Sequence, residues 1–124
     1  MRDVKRLAIV IADDNPERLR TALVLAAAHI ALGGAAQIFF QGASVALLRA
    51  PIQDPDGDRQ SAAGLPTLAQ LLDEAASLGA RFAACQSSLA LLSLSAGDFD
   101  PRIEWTGMIG FLSTVEPGDH LIVI

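Results

Sequence analysis

Cys85 is the only thiol in the chain, and its neighbours read as a strand running into a helix. Arg81-Phe82-Ala83-Ala84 has the pattern of a short strand, and Gln86 to Leu94 that of an amphipathic helix. A thiol at such a junction meets the positive end of the helix dipole and N–H groups that no earlier turn engages. Both lower a cysteine pKa and stabilise a thiolate or an anionic sulfur adduct. Ser87 and Ser88 add hydroxyl donors. The same setting also suits a small buried residue with no chemical role, as free cysteines often are.

What the chain lacks narrows the chemistry. Without a second cysteine there is no internal dithiol cycle, and any disulfide must be intermolecular. No group of residues supplies a zinc ligand set together. Asp54-Pro55-Asp56-Gly57-Asp58 has the outline of a calcium loop, but its glycine comes too early and Leu65 stands where the closing Glu belongs. An exposed acidic turn is expected there, and no metal. Ala12-Asp13-Asp14-Asn15 follows the first strand in place of a glycine-rich fingerprint, so no dinucleotide is implied, nor any other cofactor.

The elements that must position Cys85 alternate along the chain. Leu7 to Ala12 is a continuous aliphatic run of the kind buried on both faces in a parallel sheet. Asp13-Asp14-Asn15-Pro16 then turns the chain into a helix, with Pro16 at its start, Glu17 in its first turn and Gly33-Gly34 as the stop after Leu32. Gln37 to Phe40 is the second strand, and the unit is a right-handed βαβ. A short helix over Ala43 to Arg49 follows. Pro51 to Gly64 reads as a polar surface loop and a possible lid. Leu68, Leu71, Leu72, Ala75 and Leu78 mark a helix that Gly79 ends. After the Cys85 helix come a loop from Asp98 to Glu104, a brief strand at Ile103-Glu104-Trp105, a helix from Gly107 to Val115 and a last strand from His120 to Ile124. The expected fold is α/β, a three-layer sandwich around a mostly parallel sheet of four to five strands, with residues 1–124 forming one domain.

In such sheets ligands sit beyond the carboxyl ends of the strands. Asp13, Asp14, Gln41, Gly42, Cys85, Gln86, Ser87 and Ser88 all fall at that edge. Asp13 and Asp14 would oppose ionisation of a nearby thiol. His29 and His120 fall at the opposite edge, which leaves Cys85 without a histidine base. Asp73-Glu74 is expected to face solvent, and Trp105 to serve the core or an interface.

Composition sets the wider limits. The chain has 124 residues, 52% of them hydrophobic but only 5% aromatic, which is the make-up of aliphatic helices packed on a sheet. Its net charge of −5 with no basic block argues against nucleic acid and against a polybasic membrane contact. The uncharged run Thr21 to Phe40 is long enough to span a bilayer, yet Gly33-Gly34 breaks it; a buried helix followed by a buried strand explains it, and no membrane span is expected. A single cysteine implies no oxidising compartment, and the short apolar run after the charged N-terminus is a strand rather than a signal peptide, so a soluble cytoplasmic protein is expected. The first helix is apolar round most of its circumference from Thr21 to Leu32, which predicts a homo-oligomer.

The segment from Gly79 to Ser88, followed by Leu91-Leu92 and the Asp98 turn, resembles the DsrE/DsrF-like family, where a glycine, a small, a basic and an aromatic residue lead into Ala-Cys and then a serine. The resemblance runs on through Trp105 to Leu112, through Asp119 to Ile124, and includes the acidic exit of the first strand at Asp13-Asp14. Trp105-Thr106-Gly107 departs from the paired glycines associated with the family, and the Pro51 to Gly64 loop is unusually polar. The resemblance implies an oligomeric α/β protein of sulfur trafficking. It makes Cys85 a persulfide carrier cradled by Gln86-Ser87-Ser88, with sulfur donor and acceptor proteins as partners. Two alternatives stand beside a sulfur carrier or sulfurtransferase subunit: a non-catalytic oligomeric binding module that retains the fold, and a thiol redox protein.

Overall fold

The computed structural model describes residues 5–124. Five strands, β1 (Leu7–Ile11), β2 (Ala36–Phe40), β3 (Arg81–Cys85), β4 (Ile103–Thr106) and β5 (His120–Val123), form one sheet in the order β4-β3-β2-β1-β5. Every neighbouring pair is parallel. The aliphatic run of β1 is buried at all its positions because strands flank it on both sides and the sheet is covered above and below.

Five α-helices join the strands: α1 (Pro16–Ala31), α2 (Gly57–Ala62), α3 (Leu68–Ser77), α4 (Gln86–Leu91) and α5 (Met108–Leu112). The chain steps from β1 through β4 in one direction and then returns to the far side of β1 as β5. With right-handed crossovers this reversal puts α1 and α3 on one face and α5 on the other. Accordingly α1 and α3 pack together, while Phe111 of α5 stacks on Phe39 of β2 with ring centroids 4.9 Å apart. The segment Thr21 to Phe40 is the last two-thirds of α1, a turn and β2, and no helix among the described residues is long and apolar enough to cross a membrane.

The helix caps follow the sequence. Asn15 Oδ1 accepts the Glu17 N–H at the start of α1, and Thr67 and Gln70 form a reciprocal capping box on α3. Several boundaries differ from expectation. The segment after β2 is a 3₁₀ turn, Gly42–Leu48, because Gly42 enters it at φ +59°. The Cys85 helix ends at Leu91, not Leu94, since Ser93 takes a left-handed φ of 55°. The helix after β4 spans only Met108–Leu112.

The stretch from Pro51 to Gly64 is more built than a loop, for α2 lies inside it. Asp54 ties it down: its Oδ2 accepts the Leu68 N–H that opens α3, and lies 3.8 Å from Arg20 of α1. Arg20 also donates to the Pro66 carbonyl at 2.9 Å. Asp56 is taken up by Arg59 and Gln60, so two of the acidic turn's three carboxylates are spent on the protein while Asp58 is exposed. Among the described residues no three metal-ligating side chains cluster.

Candidate functional site

Cys85 is the last residue of β3 and the N-cap of α4, in extended conformation and 7% exposed. Burial pushes its thiol up, but the Ser88 hydroxyl, the N–H groups of Ser88 and Ser87, and the N–H of Gly42 outweigh it and hold the thiol below its ordinary value. Ser88 is itself buried. Since α4 has only six residues, these local donors, rather than a long helix dipole, carry the effect. Two elements therefore meet at the sulfur: the first turn of α4, and the turn that follows β2.

That second element is held by Ser44, which is fully buried and whose one hydroxyl proton is shared between the carbonyls of Ile11 at 2.6 Å and Gln41 at 2.8 Å. The Gln41 N–H continues the ladder to Ile11 at 2.9 Å. Gly42 turns the chain at the end of β2 with a positive φ, and its N–H is among the groups that hold the thiol low.

The register adds a residue that sequence reasoning missed. Phe40 pairs with Ala84, so Gln41 is the next neighbour of Cys85, and Cys85 pairs with Thr106 on its other side. Strand alternation places Gln41, Cys85 and Thr106 in one row on the face that carries Phe39 and α5. The brief strand expected from sequence stopped at Trp105, one residue short of Thr106. Gly110 of α5 lies against the Thr106 hydroxyl, where a Cβ would collide with Oγ1.

The other expected site residues lie nearby without joining this cradle. Gln86 is the exposed first residue of α4. Asp13 accepts the Asn15 N–H at 3.0 Å and pairs with Arg18 at 3.4 Å, while Asp14 is exposed. The strongest influences on the thiol are burial and the Ser88, Ser87 and Gly42 donors, with no carboxylate among them. His29 contacts the Lys5 carbonyl and His120 opens β5, both at the amino edge of the sheet. Trp105 packs edge-on against Phe99 at 5.0 Å. Asp73 is exposed and pairs with Arg102 at 2.8 Å.

Besides a hollow of about 210 Å³ between Pro16, Arg20, Asp54 and Leu68, two further concavities lie away from the thiol. One, of about 80 Å³ at the amino edge, includes Arg6 and Arg81, but Asp119 and Glu104 occupy those guanidinium groups at 2.7 Å each. The other, of about 540 Å³, lies past the C-terminal end of α4 between Arg49, Pro51, Leu92 and Leu94.

No curated protein matches the chain. Among solved structures it is similar to MTH1491, a protein of unknown function from Methanobacterium thermoautotrophicum, with a TM-score of 0.72 at 16% identity over 97% of this chain and 99% of that one. It is also similar to BT1422, a conserved protein of unknown function from Bacteroides thetaiotaomicron, with a TM-score of 0.68 at 20% identity over 97% and 95% of the two chains. The ychN protein from E. coli superposes with a TM-score of 0.70 at 11% identity over 96% of this chain and 99% of its own. At these identities the likeness is one of fold. The family model for DsrE/DsrF-like proteins matches residues 5–124; with its five-stranded parallel sheet and its cysteine at the end of β3, the chain belongs to the DsrE/DsrF-like family.

Proposed function

We propose that the protein is a sulfur carrier that holds sulfane sulfur as a persulfide on Cys85. The observation that carries this reading is the place of the one thiol, buried at the turn from β3 into α4, where the Ser88 hydroxyl and the Ser88, Ser87 and Gly42 N–H groups hold it below its ordinary value. Donors so placed stabilise a thiolate, the form that attacks a sulfane sulfur and the form that departs when the sulfur is passed on. The DsrE/DsrF-like family match supports a role in sulfur relay. Because the chain has one cysteine, the donor and the acceptor thiol both come from partners, and the reducing cytoplasm is the compartment that keeps Cys85 free. Residues 5–124 act as one domain in this reading, with Gln41, Gly42, Ser87 and Ser88 around the sulfur and Gln86 and Asp13-Asp14 at the rim where partners approach.

A homo-oligomer fits the same reading. Val24 and Leu25 of α1 and Leu32 just after it are exposed, as are Ile109 and Leu112 of α5 and Leu121 and Val123 of β5. An edge strand with no charge or proline is the kind that soluble proteins cover. That surface also favours the second reading, an oligomeric binding module in which Cys85 has no chemistry.

The test is intact mass after exposure to inorganic polysulfide, beside Cys85→Ser. Gain of sulfur atoms that a thiol reductant removes, absent from the variant, is the result expected of a carrier. An accessible Cys85 that gains nothing would leave the binding module as the better reading.

A further inference from the structure

Gln41 carries a polar atom that the fold leaves unmatched. Its backbone is fully engaged, through the N–H to Ile11 and the carbonyl to Ser44, yet its side-chain Oε1 is buried and accepts no hydrogen bond. A buried acceptor without a donor is costly to keep, and each such atom in a folded protein calls for a reason. The register makes Gln41 the neighbour of Cys85 on the same sheet face. The polarity of the two sides then differs: N–H and O–H donors converge on the Cys85 sulfur, whereas an unmet acceptor stands beside it.

We infer that Gln41 is a positioning residue for the loaded cysteine, its Oε1 accepting a hydrogen bond from the outer S–H of the Cys85 persulfide. This rests on the carrier reading. A persulfide extends the side chain by one sulfur, which carries the proton, and that proton is the donor that Oε1 lacks. Holding it there decides which way the sulfur moves. With the outer sulfur neutral, an acceptor thiolate attacks it without meeting like charge. A new S–S bond forms between acceptor and outer sulfur, the bond to Cys85 breaks, and its electron pair stays on the Cys85 sulfur, where the N–H and Ser88 donors stabilise it. The proton travels with the transferred sulfur, and no oxidant or reductant is consumed. The site is thereby shaped to give sulfur to a thiol nucleophile, not to use a perthiolate as a nucleophile of its own.

The experiment loads wild type, Gln41→Leu and Gln41→Glu with inorganic polysulfide and confirms the adduct by intact mass. The persulfide is then titrated by its near-ultraviolet absorbance, and transfer to a small monothiol is timed at neutral pH. Gln41→Leu removes the acceptor, so the persulfide ionises at lower pH and transfer slows about fivefold, the worth of one ordinary hydrogen bond. Gln41→Glu supplies a charged acceptor and moves the titration upward, whereas a merely structural role would move both variants the same way. Unchanged titration and transfer in Gln41→Leu, or a titration that rises in it, would overturn the inference while leaving a loaded Cys85 as a carrier. A wild-type Cys85 that takes up no sulfur would overturn the carrier reading itself, and this inference with it.

Discussion

Ser88→Ala isolates the one side-chain donor acting on Cys85. The hydroxyl is buried, so little solvent replaces it, and the backbone N–H groups of Ser87, Ser88 and Gly42 stay in place. A hydrogen bond to an ion is worth about 1.5–3 kcal/mol and a neutral one about 0.5–1.5; the variant therefore penalises the thiolate over the thiol by about 1–1.5 kcal/mol. At about 1.4 kcal/mol per pKa unit, the Cys85 pKa rises by about one unit and the thiolate fraction at low pH falls about tenfold. The more basic thiolate is also the better nucleophile, by about threefold per unit at a Brønsted slope of about 0.4–0.5. Stopped-flow reaction with a small aromatic disulfide across the pH range should then give two curves that cross. Ser88→Ala is about threefold slower than wild type at low pH and about threefold faster once both thiols are ionised. A constant ratio at every pH would mean that the substitution altered access alone, and would refute the assignment of Ser88 as a thiolate donor.

Stability should follow the same ionisation. The Cys85 pKa is lower folded than unfolded, so its contribution is absent at low pH, grows as pH rises past the folded value, and is complete above the unfolded value of about 8.5; urea unfolding of wild type should gain on Cys85→Ser as pH rises toward that unfolded value, and parallel profiles would contradict the shift. Gly42→Ala forces a side chain into φ +59° and should cost about 1–3 kcal/mol in urea unfolding, with Cys85 reacting more slowly at low pH as the Gly42 N–H moves. Phe111→Ala removes a fully buried ring stacked on Phe39 and should cost about 3–5 kcal/mol; a loss below about 1 kcal/mol would mean that α5 is not the cover of that sheet face. Val123→Lys charges the exposed edge strand and should reduce the light-scattering mass to that of one chain with circular dichroism unchanged, whereas an unaltered oligomer would place the interface elsewhere.

The strands were legible in the sequence because their burial is two-sided or their ends are punctuated. Leu7 to Ile11 has no polar residue to mislead, and Gly33-Gly34 and Gly79 stop the helices where φ turns positive. The carboxyl-edge rule was enough to bring Gln41, Gly42 and Ser88 into consideration with Cys85. What it could not supply was register: Thr106 and Gln41 become neighbours of the thiol only once Phe40 is set against Ala84 and Cys85 against Thr106. Nor does composition distinguish a polar loop from one pinned by long-range contacts. Pro51 to Gly64 looks free because its residues are Asp, Gly, Pro and Gln, yet Asp54 spends its carboxylate on partners 14 and 34 positions away, at Leu68 and Arg20. The early end of α4 depends on Ser93, whose left-handed backbone has no marker of its own in the run Leu91-Leu92-Ser93-Leu94.

Cys85 closes a strand with hydrogen-bonded neighbours on either side. In the carrier reading a sulfur stored there has no tether and no swinging arm: the cargo would keep one address while the couriers come and go. Delivery from such a depot should therefore be encounter-limited, its rate set by how often and how well an acceptor docks at the carboxyl edge, and mutations that stiffen or loosen this chain elsewhere should leave it largely untouched.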